Sequence, residues 1–297
     1  MHKTDTSMKY NISILLLISF LFSCTTQKEQ NTKPIVTVSI APQKYFIEQL
    51  IGDSIEVNVM IPQGSDHGTY APTAAQIKKL SRSAAYFKMG HLGFEAGWSD
   101  KLKAANPTMK WYDLSKGIKM IQGEHHHHDH DHDHICTGGI DPHTWTAPKQ
   151  VKQITKNLKL HLNELFPQYK PMVEVNYENF MNELDVLDER LNSLHTNKKE
   201  MAFMIFHPAY TYLARDYGFE QMTIEFEGKT PTPGRLKTTI ETAKDKGIKT
   251  IYIQKEFDQS NAKVIADEIG AKTIVVNPLS ANWKQEMENF ISNLENQ

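Results

Sequence analysis

Seven apolar residues on one helical face constrain this chain most. Val173, Tyr177, Phe180, Leu184, Leu187, Leu191 and Leu194 follow one another at spacings of 4, 3, 4, 3, 4 and 3. That rhythm keeps side chains on one side of an α-helix. The stripe covers about 22 residues, or about 33 Å at the helical rise. A coiled coil has the same period. Three heptads with no second matching segment favour a spine packed against two lobes.

The flanking sequence says what those lobes are. Before the stripe, Ile35 to Ile40, Ile55 to Ile61, Ala84 to Met89 and Lys110 to Asp113 read as short β-strands. Helical stretches are expected between them at 43–51, about 73–81 and 94–105, and again at 149–165. After the stripe, strands are expected at 201–206, 221–226, 250–253 and 273–276, with helices at 212–217, 235–246, 261–269 and 283–294. Strands alternating with helices imply parallel sheets covered on both faces. The predicted fold class is therefore α/β: two lobes, each a mostly parallel sheet flanked by helices, joined by a long rigid linking helix. Expected boundaries are 34–166 for the first lobe, 167–197 for the linking helix and 198–297 for the second lobe. Ligands of such sheets gather beyond the carboxyl ends of strands.

The N-terminus reads as an address rather than as fold. Lys9 precedes an apolar run, Ile12 to Phe22, too short to span a membrane as a mature helix. It ends Leu21-Phe22-Ser23-Cys24, which resembles a bacterial lipobox. Residues 1–24 are thus expected to be a lipoprotein signal ending at a lipidated Cys24, with 25–33 a polar tether. Lipidation would leave Cys136 as the one remaining thiol, so a disulfide scaffold is excluded. The formal net charge of -2 gives no reason to expect nucleic acid as a partner.

The chemistry concentrates between Glu124 and Trp145, EHHHHDHDHDHICTGGIDPHTW. Half of the chain's 14 His fall in the first part of this stretch, 124–134, at 125 to 128, 130, 132 and 134. Imidazole and carboxylate are common ligands of zinc and related divalent ions. No apolar residue interrupts 124–134, so the tract reads as a mobile metal-capturing arm. An ordered site is expected beside it, where Asp141-Pro142-His143 is stiff. His67 follows a strand end, and His207 follows another directly. His143, His207 and His67 are the candidate metal ligands, and three imidazoles with one oxygen would suit tetrahedral zinc. Neutral imidazole is needed, so affinity is expected to fall between about pH 7 and about pH 5. Trp145 and Tyr210 flank the candidates and are expected to pack the cleft wall. HExxH, CxxC, GxSxG and Walker signatures are all absent from the sequence, which removes the usual indications of a metalloenzyme, hydrolase or nucleotidase.

Several segments together resemble the metal-binding solute-binding lipoproteins of ABC importers, in particular the zinc type. The carriers are Pro62 to Pro72 (PQGSDHGTYAP), YFKMG at 86–90, LSKGI at 114–118, the His-rich loop, DPHTW at 141–145, HPAYTYLARDYGF at 207–219 and NPL at 277–279. The resemblance covers about Pro34 to the end. It implies a metal held in the cleft between two lobes and delivery of the ion to a permease and ATPase, with no enzymatic activity. It also implies a monomer at the cell envelope, held to the membrane by its lipid and facing the periplasm or the exterior. His143 matches the DPH ligand, and His at 207 points to zinc rather than manganese. At Gly68 the family usually carries a His, so His67 is the substitute ligand. Asn277 stands where the family has Asp, which leaves water, Glu225 or Glu227 to complete the sphere. Gln254 stands where Glu is frequent. The alternatives within this resemblance are manganese or another divalent ion as cargo, or a surface lipoprotein that stores zinc.

Overall fold

The computed structural model describes residues 33–65, 68–122, 139–197, 201–225, 231–257 and 259–297. The expectations placed on residues 1–24, on the tether up to residue 32, on the His-rich tract at 124–134, and on Cys136, His67 and Glu227 lie outside the described residues.

The first sheet forms from β1 (Ile35–Ile40), β2 (Glu56–Ile61), β3 (Ala85–Lys88) and β4 (Lys110–Asp113), all parallel, in the order β2-β1-β3-β4. Every residue of β1 is buried, as suits an apolar, β-branched strand covered on both faces. Helix α1 (Ala41–Ile51) starts directly at its end, with Pro42 in the first turn where no amide donor is required. Gln43 fastens that turn. Its Oε1 accepts from the amides of Ser39 (2.9 Å) and Ile40 (3.0 Å), and its Nε2 donates to Phe87 O on β3 at 2.8 Å. Helices α2 (Ala74–Leu80) and α3 (Gly93–Ala105) complete the layer, and α4 (Pro148–Leu165) follows the loop region. Thr73 and Gln76 form a capping box at the start of α2.

The second sheet repeats the plan. Strands β5 (Ala202–Ile205), β6 (Glu220–Thr223), β7 (Thr250–Gln254) and β8 (Lys272–Val276) are parallel in the order β6-β5-β7-β8. Helices α6 (Thr211–Tyr217), α7 (Pro233–Asp245), α8 (Ser260–Ile269) and α9 (Trp283–Glu295) belong to this half. Strand β6 stops at Thr223, short of the expected 226. The amide of Glu225 turns onto Phe206 O at 3.0 Å, so the chain leaves the ladder there. This departure carries the Glu225 side chain to the site described below.

The apolar stripe lies on a single 28-residue helix, α5 (Lys170–Asn197). Pro171 sits in its first turn, and Pro167–Tyr169 forms a separate 3₁₀ turn before it. Val173, Phe180, Leu184, Leu187, Leu191 and Leu194 are buried, while Tyr177 is half-buried. The helix touches both halves. Asn176 donates to Leu50 O on α1 at 3.1 Å, and Arg190 pairs with Glu295 on α9 at 2.8 Å. Phe46 of α1 meets both Phe180 and Trp283, with ring centroids 6.1 and 5.2 Å apart. One continuous core therefore runs from the first sheet through α5 to one face of the second sheet. A smaller core, including Met204, Ile251 and Ile265, lies under α7 and α8 on the opposite face.

Candidate metal centre

His207 stands two residues beyond β5, at the point where the strand order of the second sheet reverses between β5 and β7. Gln254, the last residue of β7, holds its backbone from the other side of that crevice. The Gln254 Oε1 accepts from His207 N at 3.2 Å and its Nε2 donates to His207 O at 2.8 Å. Phe257 stacks on the imidazole, with centroids 4.9 Å apart and planes 22° from parallel. Glu225 lies behind the ring, its Oε1 2.7 Å from Nδ1.

His143 comes from the other half, in the stiff turn that precedes α4. Asp141 sets both its backbone and its ring, for Oδ1 lies 2.8 Å from His143 N and 2.8 Å from Nδ1. Burial alone would push the Asp141 carboxyl up. The adjacent His143 and the hydrogen bonds it gives outweigh that and hold the group below the ordinary carboxylate range. A short 3₁₀ turn, Thr144–Thr146, then feeds α4.

The two imidazoles meet. Their Nε2 atoms are 3.3 Å apart and their ring centroids 5.1 Å apart, with planes at 70°. Carboxylates at both Nδ1 positions favour the tautomers that carry the proton on Nδ1 and leave the lone pair on Nε2. Two such lone pairs facing one another repel unless an electrophile lies between them. Two nitrogens bound to one ion at 2.0–2.1 Å and at a tetrahedral angle stand about 3.3–3.4 Å apart. The observed separation fits that chord. The cavity at this point has room for about 10 Å³, near the space of one water-sized guest.

The segment bearing His143 is fastened to the second half at four points. Tyr212 Oη donates to Asp141 O at 2.7 Å, Thr146 Oγ1 to Ala209 O at 2.8 Å, and Trp145 Nε1 to Pro278 O at 2.9 Å. Trp283 Nε1 returns a bond to Trp145 O at 2.7 Å. Trp145 is buried and lines the cavity, as expected, whereas Tyr210 does not line it but is a buried core residue that stacks on Phe290 with centroids 4.0 Å apart. The residues on either side of the His-rich stretch also meet here. Gln122 and Ile140 form an antiparallel bridge, and Tyr212 Oη accepts from Ile121 N at 3.2 Å.

Of the candidate ligands, His143 and His207 converge. His67 lies outside the described residues, although Ser65, two positions earlier, lines the cavity. Glu225 is engaged behind His207 at Nδ1, so in this arrangement it orients the ring instead of completing an ion's coordination sphere. Asn277 donates its amide to Glu286 at 2.7 Å, and its buried Oδ1 has no hydrogen-bond partner among the described residues. The cavity is lined by the next two residues, Pro278 and Leu279, and not by Asn277. Among the described residues, no three His, Cys, Asp or Glu side chains are grouped closely enough to hold an ion. The grips of Gln254 and Phe257 on His207 could not be anticipated from spacing, because they join residues about 50 positions apart.

Comparison with known proteins gives this geometry a family. The chain is 28% identical to the zinc-binding lipoprotein AdcA of Streptococcus pneumoniae over 289 residues, covering 93% of this chain and 56% of that protein. It thus spans little more than half the length of that relative. The crystal structure of ZnuA superposes with a TM-score of 0.80 at 34% identity, covering 89% of this chain and 98% of the other. A zinc-bound deletion mutant of ZnuA gives a TM-score of 0.79 at 34% identity, covering 89% and 97% of the respective chains. The family model for ZnuA, zinc-uptake complex component A, periplasmic, matches residues 36–297, and this chain belongs to that family.

Proposed function

We propose that this protein captures zinc outside the cytoplasm and hands it to an ABC permease driven by its ATPase. The carrying observation is the facing Nε2 pair of His143 and His207, 3.3 Å apart and each backed by a carboxylate. Nitrogen donors suit zinc better than manganese, which prefers oxygen. The names of the similar proteins, zinc-binding AdcA and zinc-bound ZnuA, support the same cargo. In this reading His143 and His207 are ligands and His67 is the third. The role is carriage and not catalysis, in keeping with the solute-binding family to which the chain belongs. The functional division is a signal at 1–24 ending at lipidated Cys24, a tether at 25–33, a lobe at 34–166, a linking helix at 167–197 and a lobe at 198–297. The protein acts as a membrane-anchored monomer.

Isothermal titration with zinc tests this. The background is the mature chain with and without residues 124–134, a deletion whose flanks already meet in the Gln122–Ile140 bridge. His143→Ala and His207→Ala should each lower affinity on the order of 100-fold or more, beyond the loss caused by removing groups behind the ligands. Wild-type affinity in either variant of the shortened chain overturns the proposal.

A further inference from the structure

We infer that the edge of the first sheet remote from the metal centre is a contact surface for anionic phospholipid, so that the anchored protein meets its membrane by the end opposite the ion. The inference rests on the lipid anchor proposed above for Cys24 and concerns a surface the metal centre does not use. All four strands of the first sheet are parallel, so their starts share one edge. Backbone bonds stitch that edge together: Glu56 N donates to Pro34 O at 2.8 Å, Ala84 N to Ile35 O at 2.8 Å and Lys110 N to Ala84 O at 3.4 Å. Asn106 Nδ2 ties the loops before β3 and β4 by donating to Leu80 O at 3.2 Å and Ser83 O at 3.0 Å. The metal centre lies at the opposite edge, where Met89, the residue after β3, accepts from Thr144 Oγ1 at 3.4 Å.

Charge is spread unevenly along the chain. Residues 71–119 hold nine Lys and Arg against three Asp and Glu, in a chain of formal net charge -2. Of those acids, Glu95 is buried and Asp113 pairs with Lys88 at 2.9 Å. At the edge itself, Lys78 and Lys79 end α2, Arg82 lies in the next loop, Lys103 is in the last turn of α3 and Lys110 opens β4, and all five are exposed. Lysines at helix C-termini offset the helix dipole, but Arg82 and Lys110 lie outside any helix. Lys79 and Lys110 are paired with Glu56 and Glu164, each at 2.8 Å. Lys78, Arg82 and Lys103 have no carboxylate partner among the described residues, and Trp111 under the Lys103 ammonium, 5.6 Å away, keeps it beside the start of β4. Pro34, where the preceding chain enters the folded unit, belongs to this same edge. The nine residues 25–33 reach at most about 30 Å when extended. The anchor itself therefore selects the occupant, since it brings a bilayer to the cationic edge. Anionic headgroups attract such cations within about a Debye length of the surface.

The test is flotation with vesicles of phosphatidylcholine alone and of an equal mixture with phosphatidylglycerol, at low and high salt. The protein is the mature chain with Cys24→Ser, which cannot carry a lipid, so binding reports the surface alone. It should bind the mixed vesicles at low salt, ignore pure phosphatidylcholine and be released by high salt. Joint replacement Lys78→Gln, Arg82→Gln and Lys103→Gln should weaken binding about fivefold per charge, on the order of 100-fold together. Arg82→Gln alone, in an exposed loop, should show its fivefold share even if the triple variant melts early. A control that removes as many charges from α7 and α8, Lys237→Gln, Lys244→Gln and Lys263→Gln, should bind like wild type. No binding to the mixed vesicles, undiminished binding by the edge variants, or an equal loss in the control overturns the inference. Palmitate labelling of the full chain, wild type against Cys24→Ala, reports the anchor separately. Failed vesicle binding with labelling intact sinks the inference alone, and absent labelling sinks the anchor reading on which it rests.

Discussion

Each imidazole of the pair owes its aim to a carboxylate, and the two carboxylates reach their places differently. Asp141 is local: two residues upstream, it fixes the His143 backbone and ring with one oxygen. Glu225 is remote: it meets His207 because β5 and β6 run in register, Ile205 beside Thr223, and because the chain leaves the ladder just after. Removing either carboxylate should leave the ligand in place but free its ring to turn. Asp141→Asn and Glu225→Gln should therefore each weaken zinc by about 10- to 100-fold, with the fold retained. Zinc titration together with the far-ultraviolet circular dichroism of the metal-free proteins checks both halves of that statement. The sequence made His143 and His207 visible because each follows a stiff or strand-ending motif. It did not assign Glu225 its place behind the ring, since that depends on strand register and not on spacing.

The elements show the same division between local and long-range information. The stripe from Val173 to Leu194 announced α5, and the alternation of strands and helices announced both sheets. Local chemistry also explains two helix starts: Thr73 and Gln76 cap α2, and Pro42 sits in the first turn of α1, where no amide donor is required. What could not be read was which helix holds which, because salt bridges and hydrogen bonds between helices follow no period. Lys152 of α4 reaches both Asp185 and Asp188 of α5 at 2.6 Å, and Tyr217 of α6 donates to Asp188 at 2.8 Å. Burial pushes the Asp188 carboxyl up, but the bonds from Lys152 and Tyr217 outweigh it and leave the group below its ordinary value. A depressed native value stabilises the fold above the unfolded pKa of about 3.9, and that contribution fades as pH falls through the native value. Urea midpoints should thus fall in the wild type on acidification below about pH 4, and Asp188→Asn should fall less over the same range. A parallel acid response in the two proteins would show that this clamp is not a source of acid sensitivity. In the same helix, Leu187→Ala should cost about 2–5 kcal/mol by opening a cavity under a fully packed stripe.

At the scale of the whole molecule, the two halves are joined by more than the linking helix. The segment Asp141–Thr146 is encoded with the first sheet, yet four hydrogen bonds fasten it to the second half. The core, too, passes without a break from Val36 and Phe46 through α5 to Phe203, Trp283 and Phe290. A shared core of this kind couples the halves energetically, so they should unfold together. Calorimetry of the metal-free protein should give one transition with calorimetric and van't Hoff enthalpies in agreement. The smaller core under α7 and α8 is the region where an early, separate transition would begin if that coupling failed. On the proposed function, zinc would join a site built from both halves and so stabilise the whole unit. At a free ion concentration of 100 times Kd, the native state gains about 2.7 kcal/mol, which should raise the melting temperature by about 5–10 °C. His143→Ala should abolish most of that shift, since one half then loses its side of the contact. A zinc-induced shift confined to one of two resolved transitions would mean instead that the ion is held within a single half.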